Sequence, residues 1–531
     1  MTRALIWFVA LSIATPLFAA EKNDHEDAGK AATNPNGPFK VKKVETSGTV
    51  RVGGKKIEYN AYAGTIIVHP SDWSDVPENN QPAKDNKPSV ASMFYAAYFK
   101  KGARPEDRPI TFIYNGGPGS ATVWLHMGAF GPQRIITANN THTPAAPYSV
   151  VNNDYSLLDA SDLVFIDAPG AGFSRIAGTN REKDFYGVDE DGYAFTEFIQ
   201  AFLSRYGRWN SPKFLFGESY GTTRNAVLSY DLERRAKIDL NGVIMLSQIL
   251  MFDANVDSPQ HNPGIDLPYV LALPTYAATA WYHQKLPDRP KNLESFLKQV
   301  ETFAMGEYSA ALSEGSSLSS DRKQAIAQKL HEYIGLPVAY ILKANLRVNG
   351  GEFQIQLLGA SDETTGRLDT RFTGPSMDPL GQESEYDPQS ASISAAYLAA
   401  FNDYARKVLK YGDDQIYLQY AKRQKPWNFI HQPPNGYLGL TITTNVMPDL
   451  AAAMIYNPNL KVMLNAGYFD LATPYFEGMY EMRHLPIPEK LQKNIEYKFY
   501  QSGHMVYANE ASLKALHDNV AAFITRNSNI R

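Results

Sequence analysis

A serine between two glycines is the first residue of this sequence whose surroundings indicate chemistry. Ser219 lies in the segment 217–221, which reads Gly-Glu-Ser-Tyr-Gly and directly follows the apolar run 214–216. A strand that leads into Gly-x-Ser-x-Gly and then a helix is a nucleophile elbow, a tight turn that raises the serine Oγ above the sheet edge. Because a serine hydroxyl is a weak nucleophile at neutral pH, it needs a general base. The motif therefore predicts acyl-transfer chemistry at Ser219.

A histidine and an aspartate in the required order follow the serine. In this arrangement the acid precedes the histidine along the chain. His504 follows a strand-like segment and precedes the last helical pattern, and Asp470 follows another apolar run. We expect His504 to act as the base and Asp470 to hold it in one tautomer. Asp253, after an earlier strand, is the alternative acid, whereas Asp167 precedes the serine and breaks the order.

Backbone donors for an oxyanion are the remaining requirement of this chemistry. The N–H of Tyr220, directly after the nucleophile, is the first expected donor. The second is expected from Gly117 in the loop 115–119, Asn-Gly-Gly-Pro-Gly, which follows the apolar run 110–114. This loop lacks the Lys-Ser/Thr of a phosphate loop and the spacing of a dinucleotide fingerprint, and the chain has no His-Glu-x-x-His. We therefore expect neither a metal nor a cofactor.

The composition is that of a globular protein. Of the 531 residues, 44% are apolar and 12% aromatic, which is enough to bury a sizeable core. The formal net charge of −4 gives no basic excess that would indicate nucleic-acid binding. Cysteine is absent, which excludes disulfides, thiol nucleophiles and cysteine metal sites.

The N-terminal residues predict export. A positive charge at Arg3 precedes the almost wholly apolar segment 4–17, and the small residues Ala19 and Ala20 follow shortly after it. The apolar run is short for a bilayer span, so we expect a signal peptide over 1–20 and no membrane anchor after its cleavage. An uncleaved anchor is the alternative. A polar leader follows over 21–38, and an exported chain without cysteine suits a bacterial periplasm or the extracellular space.

Apolar runs of strand length alternate with helical or loop segments along the chain. The runs are 110–114, 163–166, 214–216, 243–246, 462–464 and 495–500. This pattern predicts an α/β fold with a mostly parallel central sheet flanked by helices, preceded by β hairpins. Mainly helical patterns interrupt it and indicate a cap insertion. We expect the core in two parts, 39–252 and 443–531, with the cap over 253–442.

Four segments together resemble the serine carboxypeptidase family of α/β-hydrolases. They follow one another in the family's order and cover residues 114–120, 167–174, 217–220 and 503–505. The resemblance implies removal of the last residue of a peptide, recognised by its free α-carboxylate. It also implies that Asn115, the Gly116 amide and Glu218 bind this carboxylate. Glu218 must then be protonated, because two carboxylates at hydrogen-bond distance cannot both stay ionised.

Two positions near these motifs depart from the family's pattern. Ala129 stands where the family commonly has a second Glu that partners the elbow Glu, and Tyr507 stands where Pro often follows the His-Met pair. The family's preference for acidic pH is therefore left open for this chain.

We expect a serine carboxypeptidase that acts on peptides with a free C-terminus through an acyl-enzyme on Ser219. One alternative is an esterase or acyltransferase that uses the same triad on non-peptide acyl groups. A second is a non-enzymatic periplasmic binding or scaffold protein with this fold. The sequence predicts neither the side-chain preference nor the oligomeric state.

Overall fold

The computed structural model describes residues 36–74, 76–80, 87–434 and 443–530. The predicted signal peptide, 1–20, lies outside the described residues, as do most of the predicted leader, 21–38, and the predicted end of the cap at 442. In the described part of the chain, no helix combines the length and the apolar character needed to cross a membrane.

Strands and helices alternate through most of the chain. The strands are β1 (Lys43–Val52), β2 (Lys55–Val68), β3 (Val90–Lys100), β4 (Ile110–Tyr114), β5 (Gln133–Ile135), β6 (Val150–Asn152), β7 (Asp162–Ile166), β8 (Arg175–Ala177), β9 (Lys213–Glu218), β10 (Gly242–Leu246), β11 (Glu363–Thr365), β12 (Thr373–Pro375), β13 (Lys461–Gly467) and β14 (Ile495–Tyr500). The helices are α1 (Arg181–Phe185), α2 (Val188–Tyr206), α3 (Tyr220–Tyr230), α4 (Leu267–Tyr282), α5 (Leu293–Phe303), α6 (Ser309–Ser313), α7 (Ser320–Ile334), α8 (Val338–Lys343), α9 (Gly350–Leu358), α10 (Pro388–Lys407), α11 (Met447–Tyr456), α12 (Tyr475–Arg483), α13 (Glu489–Gln492) and α14 (Glu510–Asn527).

The main sheet is mixed, with the order β1-β2-β3-β7-β4-β9-β10-β13-β14, and β8 pairs with β3. Strands β7, β4, β9, β10, β13 and β14 pair in parallel. These six are the apolar runs predicted as strands, and β4, β7, β9 and β10 are buried at every residue. Strands covered on both faces need no polar alternation. The predicted α/β fold with a mostly parallel sheet is confirmed.

The predicted N-terminal hairpin is formed by β1 and β2, which pair antiparallel around Gly53 and Gly54. Both glycines have positive φ, 53° and 78°. Two positive φ angles in a row are what a tight hairpin turn requires, and glycine adopts them without steric cost. The hairpin continues through β3 and joins the parallel strands at β7.

Helices cover the sheet and also form a second core. Helix α3 packs against β9, β10, α2 and α11, while α14 packs against β10 and β13. The apolar side chains of α4, α5, α7 and α9 form a separate buried cluster together with residues 466–479. Helix α10 differs, because it buries Tyr397 and Phe401 in the cluster of the sheet. The helices of the insertion therefore belong to two different buried clusters. The domain boundaries predicted from the sequence stay predictions.

Candidate active site

Ser219 occupies the turn between β9 and α3. Its backbone has φ 61° and ψ −131°, a region that non-glycine residues rarely adopt and that marks functional turns. A Cβ on Gly217 would overlap the carbonyl oxygen of Gly221, so the two ends of the turn touch. This geometry is that of a nucleophile elbow, and it sets Ser219 at the carboxyl end of the parallel strands.

His504 and Asp470 meet at the ends of the neighbouring strands. The Nδ1 atom of His504 lies 2.8 Å from Oδ2 of Asp470. Asp470 is fully buried, and its Oδ1 accepts hydrogen bonds from the backbone N–H groups of Ala472, at 2.9 Å, and Thr473, at 3.0 Å. The aspartate is therefore held in one orientation, with His504 Nδ1 as donor. His504 and Ser219 line the same cavity.

The alternative acid, Asp253, and the excluded Asp167 both lie elsewhere. Asp253 lines a second cavity beside Ser219, and its Oδ1 accepts from Asn262 Nδ2 at 2.9 Å. Asp167 is buried and accepts from the backbone N–H of Thr122 at 2.8 Å. The structure brings Asp470, rather than either of these residues, to the histidine.

The charge state of His504 follows from its surroundings. Burial acts to lower its pKa, but the charge and hydrogen bond of Asp470, with the charge of Glu218, together raise the pKa above its ordinary value. A histidine stabilised as imidazolium in this way is suited to accept the serine proton.

The glycine loop lies directly against the first turn of α3. A Cβ on Gly116 would overlap the backbone nitrogen of Tyr220, and Gly117 has φ 106°, which favours glycine. Gly117 and Tyr220 line the cavity on one side of Ser219. Both residues predicted to supply the oxyanion donors therefore border the same cavity as Ser219, and their role as donors stays a prediction.

Asn115, Gly116 and Glu218 line the cavity on the other side of Ser219, together with His504. This cavity has a volume of about 270 Å³. Glu218 is buried, and burial raises its pKa to about 7, although the charge of His504 and hydrogen bonds from Tyr507 and Asn115 act to lower it. At and below neutral pH a large share of Glu218 is therefore protonated, as the binding of a carboxylate demands.

A segment of the insertion, residues 366–371, runs between the two catalytic loops. The N–H of His504 donates to the Leu368 carbonyl at 2.6 Å, and the N–H of Leu471 donates to the Arg367 carbonyl at 3.0 Å. Thr370 N–H donates to the carbonyl of Phe469 at 2.9 Å. We call residues 366–371 the strap. It belongs to no sequence motif, and nothing in the sequence indicated its position.

Three further side chains at the site were missed from sequence. Thr473 Oγ1 donates to Asp470 Oδ2 at 2.7 Å, and the Tyr507 hydroxyl donates to Glu218 Oε2 at 2.8 Å. Arg367 of the strap lines both cavities, and its Nε donates to Asp257 Oδ1 at 2.8 Å. Thr473 and Tyr507 each lie three residues from a predicted catalytic residue, and this proximity was the available signal.

Within the described ranges, no group of three or more His, Cys, Asp or Glu side chains is arranged to hold a metal ion. The expectation that the chain uses neither metal nor cofactor stays a prediction.

Comparison with known proteins gives one family. The family model described as serine carboxypeptidase matches residues 83–517. Serine carboxypeptidase-like 33 of Arabidopsis thaliana is 27% identical over 212 residues, which are 38% of this chain and 39% of that protein. Probable serine carboxypeptidase CPVL of Homo sapiens is 28% identical over 167 residues, or 30% of this chain and 32% of that protein. The chain thus spans well under half the length of the curated relatives it matches.

A solved structure gives the same fold. The crystal structure of a prohormone-processing carboxypeptidase from Saccharomyces cerevisiae aligns with a TM-score of 0.50 and 13% identity, and the alignment covers 87% of this chain and 91% of that chain.

Proposed function

The chain belongs to the serine carboxypeptidase family, and from this premise we propose that it removes the C-terminal residue of peptides through an acyl-enzyme on Ser219. One observation carries the proposal: Ser219, His504, Asn115 and Glu218 line a single cavity. A nucleophile, its base and groups that can bind a carboxylate are thereby within reach of one terminal residue.

The steps follow from the contacts. Ser219 Oγ attacks the carbonyl carbon of the last peptide bond while the imidazole of His504 takes its proton. The amides of Gly117 and Tyr220 bind the oxyanion, and the proton then passes from His504 to the leaving amine. Water, deprotonated by the same imidazole, hydrolyses the acyl-enzyme. Asp470 keeps the imidazole in one tautomer throughout.

The leaving residue occupies the cavity that contains Glu218. Trp124, Leu368 and Ile393 give this cavity apolar walls. Its one further carboxylate, Asp387, accepts at Oδ1 from the N–H of Leu368 at 3.0 Å and at Oδ2 from the N–H of Ser390 at 2.7 Å. The guanidinium of Arg367, which also lines this cavity, is paired with Asp257. A carboxylate satisfied by backbone donors and a paired guanidinium each attract an opposite charge weakly, so we propose an uncharged leaving side chain.

The acyl part of the peptide extends into the cavity on the opposite side of Ser219. That cavity has a volume of about 400 Å³, and Ile249, Phe252 and Phe429 contribute its apolar lining. Arg367, held by Asp257, borders both cavities and thus lies between the acyl side and the leaving side.

We further propose that the chain is a bacterial exported protein of the periplasm or extracellular space. The support is the composition of residues 1–20, a positive start and an apolar run that Ala19 and Ala20 follow shortly after. N-terminal sequencing of protein recovered from the producing cell's exterior should begin after Ala19 or Ala20. A first residue of Met1 would contradict the proposal.

The activity is tested with a blocked peptide and its C-terminally amidated twin. Wild type should release the last residue much faster from the free acid than from the amide, and Ser219→Ala should lower turnover by about 10⁴-fold. Ser313→Ala is the matched control, because Ser313 is exposed and bonds only within its own helix region. Release from both peptides alike would refute carboxylate recognition. Hydrolysis of simple esters with no release from either peptide would support the ester or acyl-transfer alternative instead.

A further inference from the structure

Glu218 has a tyrosine as its hydrogen-bond donor. The hydroxyl of Tyr507 donates to Glu218 Oε2 at 2.8 Å, and both side chains are buried. Ala129, where a second glutamate was expected from the family pattern, is fully buried and brings no carboxyl group to the site. The carboxyl–carboxyl pair of the family is thus absent between these described residues, and a carboxyl–phenol pair takes its place.

The ring of Tyr507 is fixed by its neighbours. It lies in a single helical turn, Val506–Ala508, that begins directly after the loop of His504. A Cβ on Gly128 would lie 2.7 Å from Cδ2 of Tyr507 and 2.5 Å from the hydroxyl of Tyr397. The backbone of residues 125–130 therefore packs closely on both rings, and the Tyr507 hydroxyl has little freedom to leave Glu218.

We propose that Tyr507 is a positioning residue that fixes the Glu218 carboxyl group and turns its second oxygen, with the proton, toward the carboxylate of the leaving residue. This inference rests on the proposed function. With Oε2 occupied by the Tyr507 hydroxyl, Oε1 is the oxygen left to donate its hydrogen to a bound carboxylate. Burial, with the charge of Glu218, raises the pKa of Tyr507 well above its ordinary value, so the phenol stays a donor throughout the working range.

The pair also affects the pH range of binding. Besides Tyr507, the groups that influence the ionisation of Glu218 are His504 and Asp470 through their charges, and Asn115 through a hydrogen bond. A donor to the ionised carboxylate stabilises that form and lowers the pKa. Tyr507 therefore orients the carboxyl group but also promotes loss of its proton. Removal of the hydroxyl should keep Glu218 protonated to higher pH.

The experiment uses a peptide whose last bond is an ester and whose terminal carboxylate is free, together with its C-terminally amidated twin. The value of kcat/KM is measured for both substrates between about pH 5 and pH 9, in wild type and in Tyr507→Phe. As pH increases, kcat/KM should first rise for both substrates, because His504 loses its proton. It should then fall for the free acid alone, because Glu218 loses its proton. In Tyr507→Phe this fall should move up by about one pH unit. At low pH, KM for the free acid should rise about tenfold while kcat for the amidated twin stays unchanged, because only carboxylate binding has lost its orientation.

Two further variants make the result specific. Tyr397→Phe is the matched control. Tyr397 is a buried tyrosine that interacts with Glu218 by charge and not by a hydrogen bond. In this variant the fall of kcat/KM should occur at the same pH as in wild type. In Glu218→Gln the fall of kcat/KM at high pH should vanish. The double variant Glu218→Gln/Tyr507→Phe should have the same pH profile as Glu218→Gln.

The outcomes separate this inference from the proposed function. If wild type has the same kcat/KM on both substrates, the proposed function and the inference are refuted together. If wild type prefers the free acid, and the fall of kcat/KM in Tyr507→Phe occurs at the wild-type pH or below it, the inference alone is refuted. An equal loss on both substrates at an unchanged midpoint assigns Tyr507 a merely structural role and also overturns it.

Discussion

Arg371→Met should lower the free energy of unfolding by about 3–5 kcal/mol, because it leaves a buried carboxylate without its partner. Asp369 is fully buried, and its Oδ2 lies 2.6 Å from Nη2 of Arg371 while its Oδ1 lies 3.0 Å from Nε. The same Oδ2 accepts from the N–H of Gly503 at 3.2 Å. The ion pair thus lies inside the strap and touches the loop that carries His504.

Removing both charges should restore most of the loss. In Asp369→Asn/Arg371→Met no unpaired charge remains, and Asn can still accept from Gly503, so we expect a deficit of about 1–2 kcal/mol. The coupling obtained from the two single variants and the double variant should then be about 2 kcal/mol or more. Lys407→Met is the control, since Lys407 and Asp403 pair at 72% and 68% exposure and their separation should change the free energy by less than about 0.5 kcal/mol.

The pH dependence of the loss of unfolding free energy in Arg371→Met gives a sharper test. Burial raises the pKa of Asp369 and Arg371 opposes this, so removal of Arg371 raises the pKa further. A carboxyl group with a raised folded-state pKa stabilises the fold at low pH, and this contribution is lost as pH rises through that pKa. Denaturant unfolding at about pH 5 and about pH 8 should therefore show a larger deficit for Arg371→Met at the higher pH. A deficit that is independent of pH, or one below about 1 kcal/mol, would refute the reasoning.

Four single substitutions test the rest of the site. Asp470→Asn should reduce kcat by about 10⁴-fold with little change in KM, whereas Asp253→Asn should leave kcat within about twofold; a larger effect of Asp253 would reverse the assignment of the acid. Thr473→Val removes a donor to Asp470 and should lower kcat about tenfold in steady-state assays, and an unchanged kcat would contradict that role. Gly116→Ala puts a Cβ against the Tyr220 amide and should abolish most turnover while secondary structure, followed by circular dichroism, persists; full activity would disprove the close approach.

The elements that carry the predicted catalytic residues could be predicted because each of these residues follows a run of strand length. Ser219, Asp470 and His504 each follow an apolar run, and a parallel sheet brings the carboxyl ends of its strands to one edge. The last helical pattern, after His504, likewise corresponds to α14, whose apolar residues recur at helical spacing.

The strap and the Tyr507–Glu218 contact could not be predicted in this way. Leu368 reaches His504 through a backbone carbonyl, which any residue would supply, so its sequence carries no signal. Tyr507 stands out in the sequence only as a departure from the family pattern, and its contact with Glu218 is seen only in the structure. The predicted cap included α10 because of its position in the chain, but its apolar residues join the buried cluster of the sheet. Periodicity does not indicate which element an apolar face packs against.

The hydrogen bonds of the strap also limit how new substrate preferences can arise in this architecture. An insertion that makes no backbone contact with the catalytic loops can be exchanged as a module. The exchange then changes the substrate specificity of the enzyme and leaves its reaction unchanged. Here residues 366–371 supply carbonyl acceptors to the loops that carry Asp470 and His504. A chimera with a transplanted cap will therefore keep turnover only if it retains these six residues in register with Phe469 and His504. Diversification is easier at positions that line the cavities away from the strap, such as Ile249 and Ile393.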